Sequence, residues 1–267
     1  MHKHIDEKTG IAYWLHAVSP KTPPLIMIHG HGGDHRGLVS LAEQLKVTSY
    51  AIDLPGFGAS PPIALHTMQT FAGAVRELAD SLGLTEFAVL GHSLGAAVAL
   101  ELAVEDQRVS KLVLVNPIPS YNKLMKQVLK LVGNVSQKIP EPYAERLVHA
   151  HLYNLATFLV NSRQRRDREH MLAYLKHQAD TEYSLRAWHE AGEAVYYYDQ
   201  LAAAQQVGCN TLLLHGEKDS LTTDEAIEAF QLCFRKAHLE VIPRAGHFMH
   251  IENTALVAEK INEFIHG

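Results

Sequence analysis

The fold of this chain is decided by the stretch Phe87-Ala88-Val89-Leu90-Gly91-His92-Ser93-Leu94-Gly95-Ala96-Ala97. Its pattern predicts a short apolar strand, a tight turn of the form Gly-x-Ser-x-Gly and a helix of small residues. A serine at such a turn projects its hydroxyl above the sheet, where a base from another loop can reach it. Gly91 and Gly95 leave the space that a strained turn at Ser93 needs. The helix also directs its positive end at the serine, so the stretch predicts a nucleophile beside a site for an oxyanion.

The composition is that of an ordinary globular protein. Of 267 residues, 47% are hydrophobic and 20% are charged. A net charge of −5 argues against a nucleic-acid partner that is bound by phosphate neutralisation. The first residues are too polar for a signal peptide, and no apolar run approaches the roughly 18 residues that span a bilayer. The two cysteines, Cys209 and Cys233, have neither metal-type spacing nor a disulfide framework. We therefore expect a cytoplasmic protein with no nucleic-acid partner and no stable membrane insertion.

Short apolar runs alternate with helical patterns on both sides of the central stretch. Each run is followed by turn residues, and the runs are Leu25–Ile28, Tyr50–Leu54, Lys111–Asn116, Thr211–His215 and Leu239–Ile242. Before them, His4–Ala17 alternates around a turn, which predicts an antiparallel hairpin. Strands that alternate with helices predict an α/β fold with a doubly wound, mostly parallel sheet. Such sheets carry their chemistry at the carboxyl ends of the strands.

The alternation is interrupted from about Pro117 to Gln206, where the apolar spacing is helical. We therefore divide the chain into a core, residues 1–117 and 207–267, and an inserted helical cap, residues 118–206. The cap is expected to lie over the sheet edge. Its candidate pocket residues are Tyr121, Trp188 and Tyr196.

A basic group in the cap consists of Arg163, Arg165, Arg166 and Arg168. We expect these side chains to form a solvated helix face. The alternative is that they recognise an anionic acyl carrier or a phosphate.

Two polar residues join the serine at the predicted sheet edge. Asp219 follows the strand that ends near His215, and His247 follows the final strand. Ser93, Asp219 and His247 thus occur in the chain order nucleophile, acid, histidine that is described for one fold of serine hydrolases. Because the carboxyl ends of parallel strands share an edge, we expect the three side chains to meet there.

The chain resembles the alpha/beta-hydrolase superfamily, in a form with a helical cap. The resemblance is carried by His29-Gly30, Asp53-Leu54-Pro55-Gly56-Phe57-Gly58-Ala59-Ser60, Gly91-His92-Ser93-Leu94-Gly95, Gly216-Glu217-Lys218-Asp219 and Gly246-His247. The turn is more similar to those of esterases and lipases than to those of haloalkane dehalogenases or epoxide hydrolases, which have Asp at the position of Ser93. The meta-cleavage C–C bond hydrolases also use serine. They commonly have Asn before it and Trp after the catalytic histidine, where this chain has His92 and Phe248.

The resemblance implies a role for each residue. Ser93 is the nucleophile, His247 takes its proton as general base, and Asp219 orients and stabilises the imidazole. The oxyanion donors of this superfamily are backbone N–H groups, which here implies Leu94 and His31. Phe248, next to the histidine, is a further candidate pocket residue.

Other histidines compete for these roles. His250 lies close to His247 in sequence but falls outside the Gly-His pattern, and we expect it at the surface near the start of a helix. His92 is expected to point away from Ser93 and to have a packing role.

Two further positions bear on the acid. Asp224 is expected to be a first-turn acid of a helix. Asn116 occupies the loop from which some hydrolases of this fold take their acid, so no carboxylate competes there with Asp219. No two-histidine, one-carboxylate spacing stands out, and we expect neither a metal nor another cofactor.

The sequence therefore predicts a serine hydrolase that cleaves a carboxylic ester or thioester of a small molecule through an acyl-enzyme. One alternative is a C–C bond hydrolase that acts on a meta-cleavage-type diketone. Another, from a different class, is a small-molecule receptor of the same fold with slow or no turnover. Oligomeric state and acyl chain length are left open.

Overall fold

A computed structural model describes residues 1–18, 22–119 and 184–267, with the isolated positions 131, 135, 138–140 and 143. These residues contain a sheet of eight strands. The strands are β1 (His2–Ile5), β2 (Ala12–His16), β3 (Leu25–Ile28), β4 (Ser49–Ile52), β5 (Phe87–His92), β6 (Val109–Val115), β7 (Asn210–Gly216) and β8 (Ala237–Ile242).

The sheet is mostly parallel, as the alternation of strands and helices predicts. Its strand order is β1-β2-β4-β3-β5-β6-β7-β8. The strands from β4 to β8 in this order pair in parallel, whereas β2 is antiparallel to both β1 and β4. Every residue of β3 and β5 is buried, which explains why these strands are continuous apolar runs rather than alternating ones.

Helices cover both faces of the sheet. They are α1 (Arg36–Ala42), α2 (Met68–Ser81), α3 (Leu94–Glu105), α4 (Leu185–Tyr197), α5 (Gln200–Ala204), α6 (Asp224–Gln231), α7 (Met249–Glu252) and α8 (Thr254–His266). Apolar residues of α2 to α6 form one core cluster, and those of α1, α7 and α8 form the other. None of the helices in the described residues is both long and apolar enough to cross a membrane.

Two helix starts show how local sequence sets these elements. At α2, the Thr67 hydroxyl accepts a hydrogen bond from the Thr70 N–H (3.1 Å), and the Thr70 hydroxyl accepts one from the Thr67 N–H (2.8 Å). This reciprocal cap satisfies two backbone donors that the helix leaves unpaired. At α6, the predicted first-turn acid Asp224 follows the capping residue Thr223.

The predicted cap is described in its last part, as α4 and α5. Helix α4 buries Ala187, Trp188, Ala191 and Val195, which join the core cluster of α2 and α3. Tyr121 and the four arginines of the cap lie outside the described residues. The division into a core and a cap of residues 118–206 therefore stays a prediction.

Candidate active site

The turn at Ser93 has the strained backbone that its sequence predicts. Ser93 lies between β5 and α3 with φ 54° and ψ −114°, a region that costs a non-glycine residue about 1–3 kcal/mol. A Cβ on Gly91 would overlap the Gly95 carbonyl, and a Cβ on Gly95 would overlap the carbonyl of His29. The Ser93 N–H donates to the Val115 carbonyl (3.0 Å), so β6 also holds the turn in place.

Ser93, His247 and Asp219 form one chain of hydrogen bonds. His247 Nε2 lies 3.0 Å from Ser93 Oγ, and its Nδ1 lies 2.9 Å from Asp219 Oδ2. The other carboxylate oxygen of Asp219 accepts the N–H of Leu221 at 2.8 Å. The three residues come from the ends of β5, β7 and β8, and the side chains of Asp219 and His247 are almost completely buried.

The electrostatics of the carboxylate fit this arrangement. Burial raises the pKa of the Asp219 carboxyl, but nearby His247 and the hydrogen bonds from His247 and Leu221 outweigh burial and hold the pKa below its ordinary value. Asp219 is therefore ionised at neutral pH and accepts the Nδ1–H of His247. In neutral His247 this leaves Nε2 as the acceptor that faces the Ser93 hydroxyl.

The loop that carries His247 is fixed by a buried carboxylate. The N–H groups of Gly246 and Phe248 donate to the two carboxylate oxygens of Glu252, at 3.0 Å and 3.2 Å. Glu252 ends the short helix α7, so the loop and the helix after it hold each other in place.

His250 corrects one of the sequence expectations. It lies in α7 but is only 2% exposed, so the predicted surface position is wrong. Its ring packs 4.2 Å from that of His92, centroid to centroid. Burial, with a smaller effect of nearby His247, lowers the pKa of His250 to about 3. The short helix turns the imidazole inwards beneath the serine turn, where it stays neutral.

His92 has the packing position that the sequence indicates. Its Nε2–H donates to the backbone carbonyl of His247 at 2.9 Å. Burial, together with His250 and His247, lowers the pKa of His92 well below its ordinary value. His92 thus links the serine turn to the histidine loop as a neutral donor.

The backbone after β3 runs directly beside the serine. A Cβ on Gly30 would lie 3.3 Å from the Cβ of Ser93. His29 holds this segment, because its Nδ1–H donates to the Gly30 carbonyl (2.8 Å) and its Nε2 accepts the Leu54 N–H (3.0 Å). The loop can therefore present backbone donors next to Ser93.

The two candidate oxyanion donors, Leu94 and His31, belong to the segments that follow Ser93 and Gly30. Leu94 is the first residue of α3, so its N–H has no acceptor within the helix. His31 follows Gly30, and its imidazole Nε2–H donates to the backbone carbonyl of Trp188 in α4 at 2.8 Å. The imidazole also stacks on the Trp188 indole, with 4.7 Å between centroids. Helix α4 therefore holds the loop that carries the second candidate donor.

Of the four candidate pocket residues, three are described by the structure, and they differ in burial and in their neighbours. Trp188 is buried against His31, and its indole N–H has no hydrogen-bond partner in the part of the chain that the structure describes. Phe248 is buried, and its ring lies 5.6 Å from that of His247. Tyr196 is half-buried in α4 with its ring against Tyr197. Tyr121 lies outside the described residues.

Comparison with known proteins identifies the family. Residues 23–254 match the family of the alpha/beta hydrolase fold. The chain belongs to the alpha/beta hydrolase family. This confirms the family resemblance and the α/β fold class that the sequence predicts.

Relatives of the hydrolase carry different activities in their names. The pimeloyl-[acyl-carrier protein] methyl ester esterase of Nitrosomonas europaea is 29% identical over 84% of this chain and 88% of its own length. A 2-succinyl-6-hydroxy-2,4-cyclohexadiene-1-carboxylate synthase of Salmonella newport is 28% identical over 92% of this chain and 95% of its own. Among solved structures, an esterase from Exiguobacterium antarcticum superposes with a TM-score of 0.81 at 18% identity and covers 100% of both chains. The family is thus fixed, while the relatives differ in reaction.

One group in the described residues of the hydrolase brings metal-type ligand atoms together. The ligand atoms of Asp34, His35 and Asp53 lie within 4.8 Å of one another. The Asp34 carboxylate is paired with the Arg36 guanidinium, whose Nε lies 2.9 Å and 3.0 Å from its oxygens. His35 Nδ1 binds Asp53 at 2.8 Å. The side chains that could ligate a metal are therefore already paired, Asp34 with Arg36 and His35 with Asp53.

Three residues that support the site of the hydrolase escaped the sequence reasoning as functional residues. They are Asn116, Glu252 and the imidazole of His31, which the sequence marked only for its backbone N–H. Asn116 carried one signal, since it is the last residue of a predicted strand and so lies at the edge where the chemistry is expected. Glu252 binds backbone N–H groups four and six residues before it, in an irregular loop that no periodic pattern predicts. His31 binds a backbone carbonyl far along the chain, for which no local pattern exists.

Proposed function

We propose that this protein is a serine hydrolase that cleaves a carboxylic ester or thioester of a small molecule through an acyl-enzyme intermediate. The proposal rests on one observation, the buried hydrogen-bond chain from Ser93 Oγ through His247 to Asp219. Each neighbouring pair in this chain is within the distance that proton transfer requires.

The first half of the reaction forms the acyl-enzyme. Ser93 Oγ attacks the substrate carbonyl carbon while His247 Nε2 takes the hydroxyl proton. Asp219 stabilises the resulting imidazolium through Nδ1. His247 then gives the proton to the leaving alkoxide or thiolate as the C–O or C–S bond breaks. An alcohol or thiol leaves, and the acyl group stays on Ser93.

The second half releases the acid. Water attacks the acyl-enzyme carbonyl with His247 as general base, and the proton returns to Ser93 Oγ as the new C–O bond replaces the old one. In both halves the tetrahedral oxyanion is stabilised by the N–H groups of Leu94 and His31. Loss of one such donor typically costs about 3–4 kcal/mol of transition-state stabilisation.

An ester is the first substrate class to test. The relative from Nitrosomonas europaea is named as a methyl ester esterase, which favours an ester and also an acyl group on a carrier. The Salmonella synthase at similar identity shows that similarity at this level does not select the reaction.

The test is steady-state hydrolysis of p-nitrophenyl esters of increasing acyl length by the wild type and by Ser93→Ala. A fluorophosphonate probe is applied in parallel, with Ser40→Ala, an exposed serine of α1, as the matched control. We expect turnover and labelling in the wild type and in Ser40→Ala, and neither in Ser93→Ala. Full activity of Ser93→Ala would refute the proposal.

The remaining outcomes identify the alternatives. Labelling of Ser93 with turnover of a ring-cleavage diketone, and none of any ester or thioester, would replace the proposal by C–C bond hydrolysis. Slow or stoichiometric chemistry together with a ligand-dependent partner would replace it by the receptor function.

A further inference from the structure

Asn116 occupies an unusual position at the end of β6. It is completely buried and has φ 45°, a left-handed conformation that asparagine adopts more readily than most residues other than glycine. Its backbone N–H donates to the Leu214 carbonyl at 2.9 Å. From the sequence alone, Asn116 matters only because its position holds no carboxylate that could replace Asp219 as the acid.

The side chain of Asn116 joins the two loops that carry the acid and the histidine. Its amide Nδ2 donates to the carbonyls of Gly246 and His247, each at 2.9 Å. Its Oδ1 accepts the N–H of Gly216 at 2.8 Å. Gly216 in turn begins the turn that ends at Asp219, whose N–H donates to the Gly216 carbonyl at 2.8 Å.

Only an asparagine-type side chain of this length satisfies all three contacts. Two of them need a donor and the third needs an acceptor, and a primary amide supplies both in one plane. A carboxylate could still accept the hydrogen bond from the Gly216 N–H. Its other oxygen, however, would face the two carbonyl oxygens of Gly246 and His247 and could donate to neither. The residue is therefore matched to this three-way junction.

We propose that Asn116 is a positioning residue, which fixes the His247 loop relative to the Asp219 loop and thereby sets the distances within the triad. The inference rests on the proposed function, because it assumes that His247 acts on Ser93. The backbone carbonyl held by Asn116 belongs to the same residue as the imidazole. A shift of this loop would therefore move Nε2 away from Ser93 Oγ.

The test uses two variants and a control. Asn116→Gly removes the side chain and suits the positive φ, so it avoids backbone strain. Asn116→Asp keeps the size and the acceptor but loses the donor. The control is Ser60→Ala, because Ser60 is also buried and its hydroxyl bonds only to Asp53 and Ala12 in the described residues. Thermal unfolding of each variant sets a temperature at which all are folded.

The measured quantities are the rate at which a fluorophosphonate labels Ser93 and, with an accepted ester, kcat and KM. We expect both Asn116 variants to lose about 10²-fold in labelling rate and in kcat, with KM nearly unchanged, as misplacement by about 1 Å does elsewhere. Ser60→Ala should label at the wild-type rate. In a His247→Ala background, Asn116→Gly should cause no further loss, because the residue acts through His247.

Two results would overturn the inference. One is wild-type labelling by both Asn116 variants, and the other is an equal further loss in the His247→Ala background. Failure of the proposed function looks different: either the wild type is not labelled at Ser93, or it is labelled but turns over no ester or thioester. In the second case the labelling rates of the variants still test the inference.

Discussion

Acid should destabilise the folded protein through His250. The residue is 2% exposed and its pKa is lowered to about 3, mainly by burial, whereas a histidine in an unfolded chain titrates near ~6.5. Below that pH the unfolded state binds a proton that the folded state does not. The titration of His250 therefore leaves the free energy of unfolding unchanged above about pH 6.5 and lowers it progressively as the pH falls towards about 3.

The size of the effect follows from the two pKa values. Within this window each pH unit lowers the free energy of unfolding by about 1.4 kcal/mol. Between pH 7.5 and pH 5.0, His250 alone should lower it by about 2 kcal/mol. This is a large share of the total for a domain whose stability is about 5–15 kcal/mol.

The assay is urea unfolding at both pH values for the wild type, His250→Phe and His238→Asn. Phenylalanine keeps a ring against His92 and cannot titrate, and His238 is a control because its side chain is 66% exposed. His250→Phe should lose about 2 kcal/mol less than the wild type between the two pH values, while His238→Asn should follow the wild type. Equal losses in the wild type and in His250→Phe would refute the reasoning.

Two further predictions concern the proposed chemistry. Asp219→Asn should lower kcat about 10⁴-fold, because the amide no longer selects the His247 tautomer; an ester assay with Ser93 labelling measures this, and near-wild-type kcat would contradict the role. His31→Ala should lower kcat by up to about 10²-fold, because the loop with the second oxyanion donor loses its hold on α4. Trp188→Phe is its control in the same assay, since it keeps the backbone acceptor and an aromatic ring. A smaller effect of His31→Ala than of Trp188→Phe would show that the hydrogen bond is not what matters.

Much of the fold and the order of the site residues follow from local sequence. The buried strands are continuous apolar runs, and Gly91 and Gly95 permit the strained turn at Ser93. Once the sheet is parallel, the ends of β5, β7 and β8 must share an edge, so Ser93, Asp219 and His247 meet without any signal between them. This part needed only periodicity and turn chemistry.

The supporting contacts could be decided only by the tertiary structure. The inward direction of His250 depends on packing against the His92 ring, which lies far along the chain. The junction at Asn116 and the contact between His31 and α4 each depend on a backbone carbonyl far along the chain. In the sequence, the imidazole of His250 is equally compatible with a solvated and with a buried position. Only the packing of α7 beneath the serine turn selects the second. The sequence therefore determined which groups reach the sheet edge, and the packing of distant segments decided how rigidly and in which protonation state they are held.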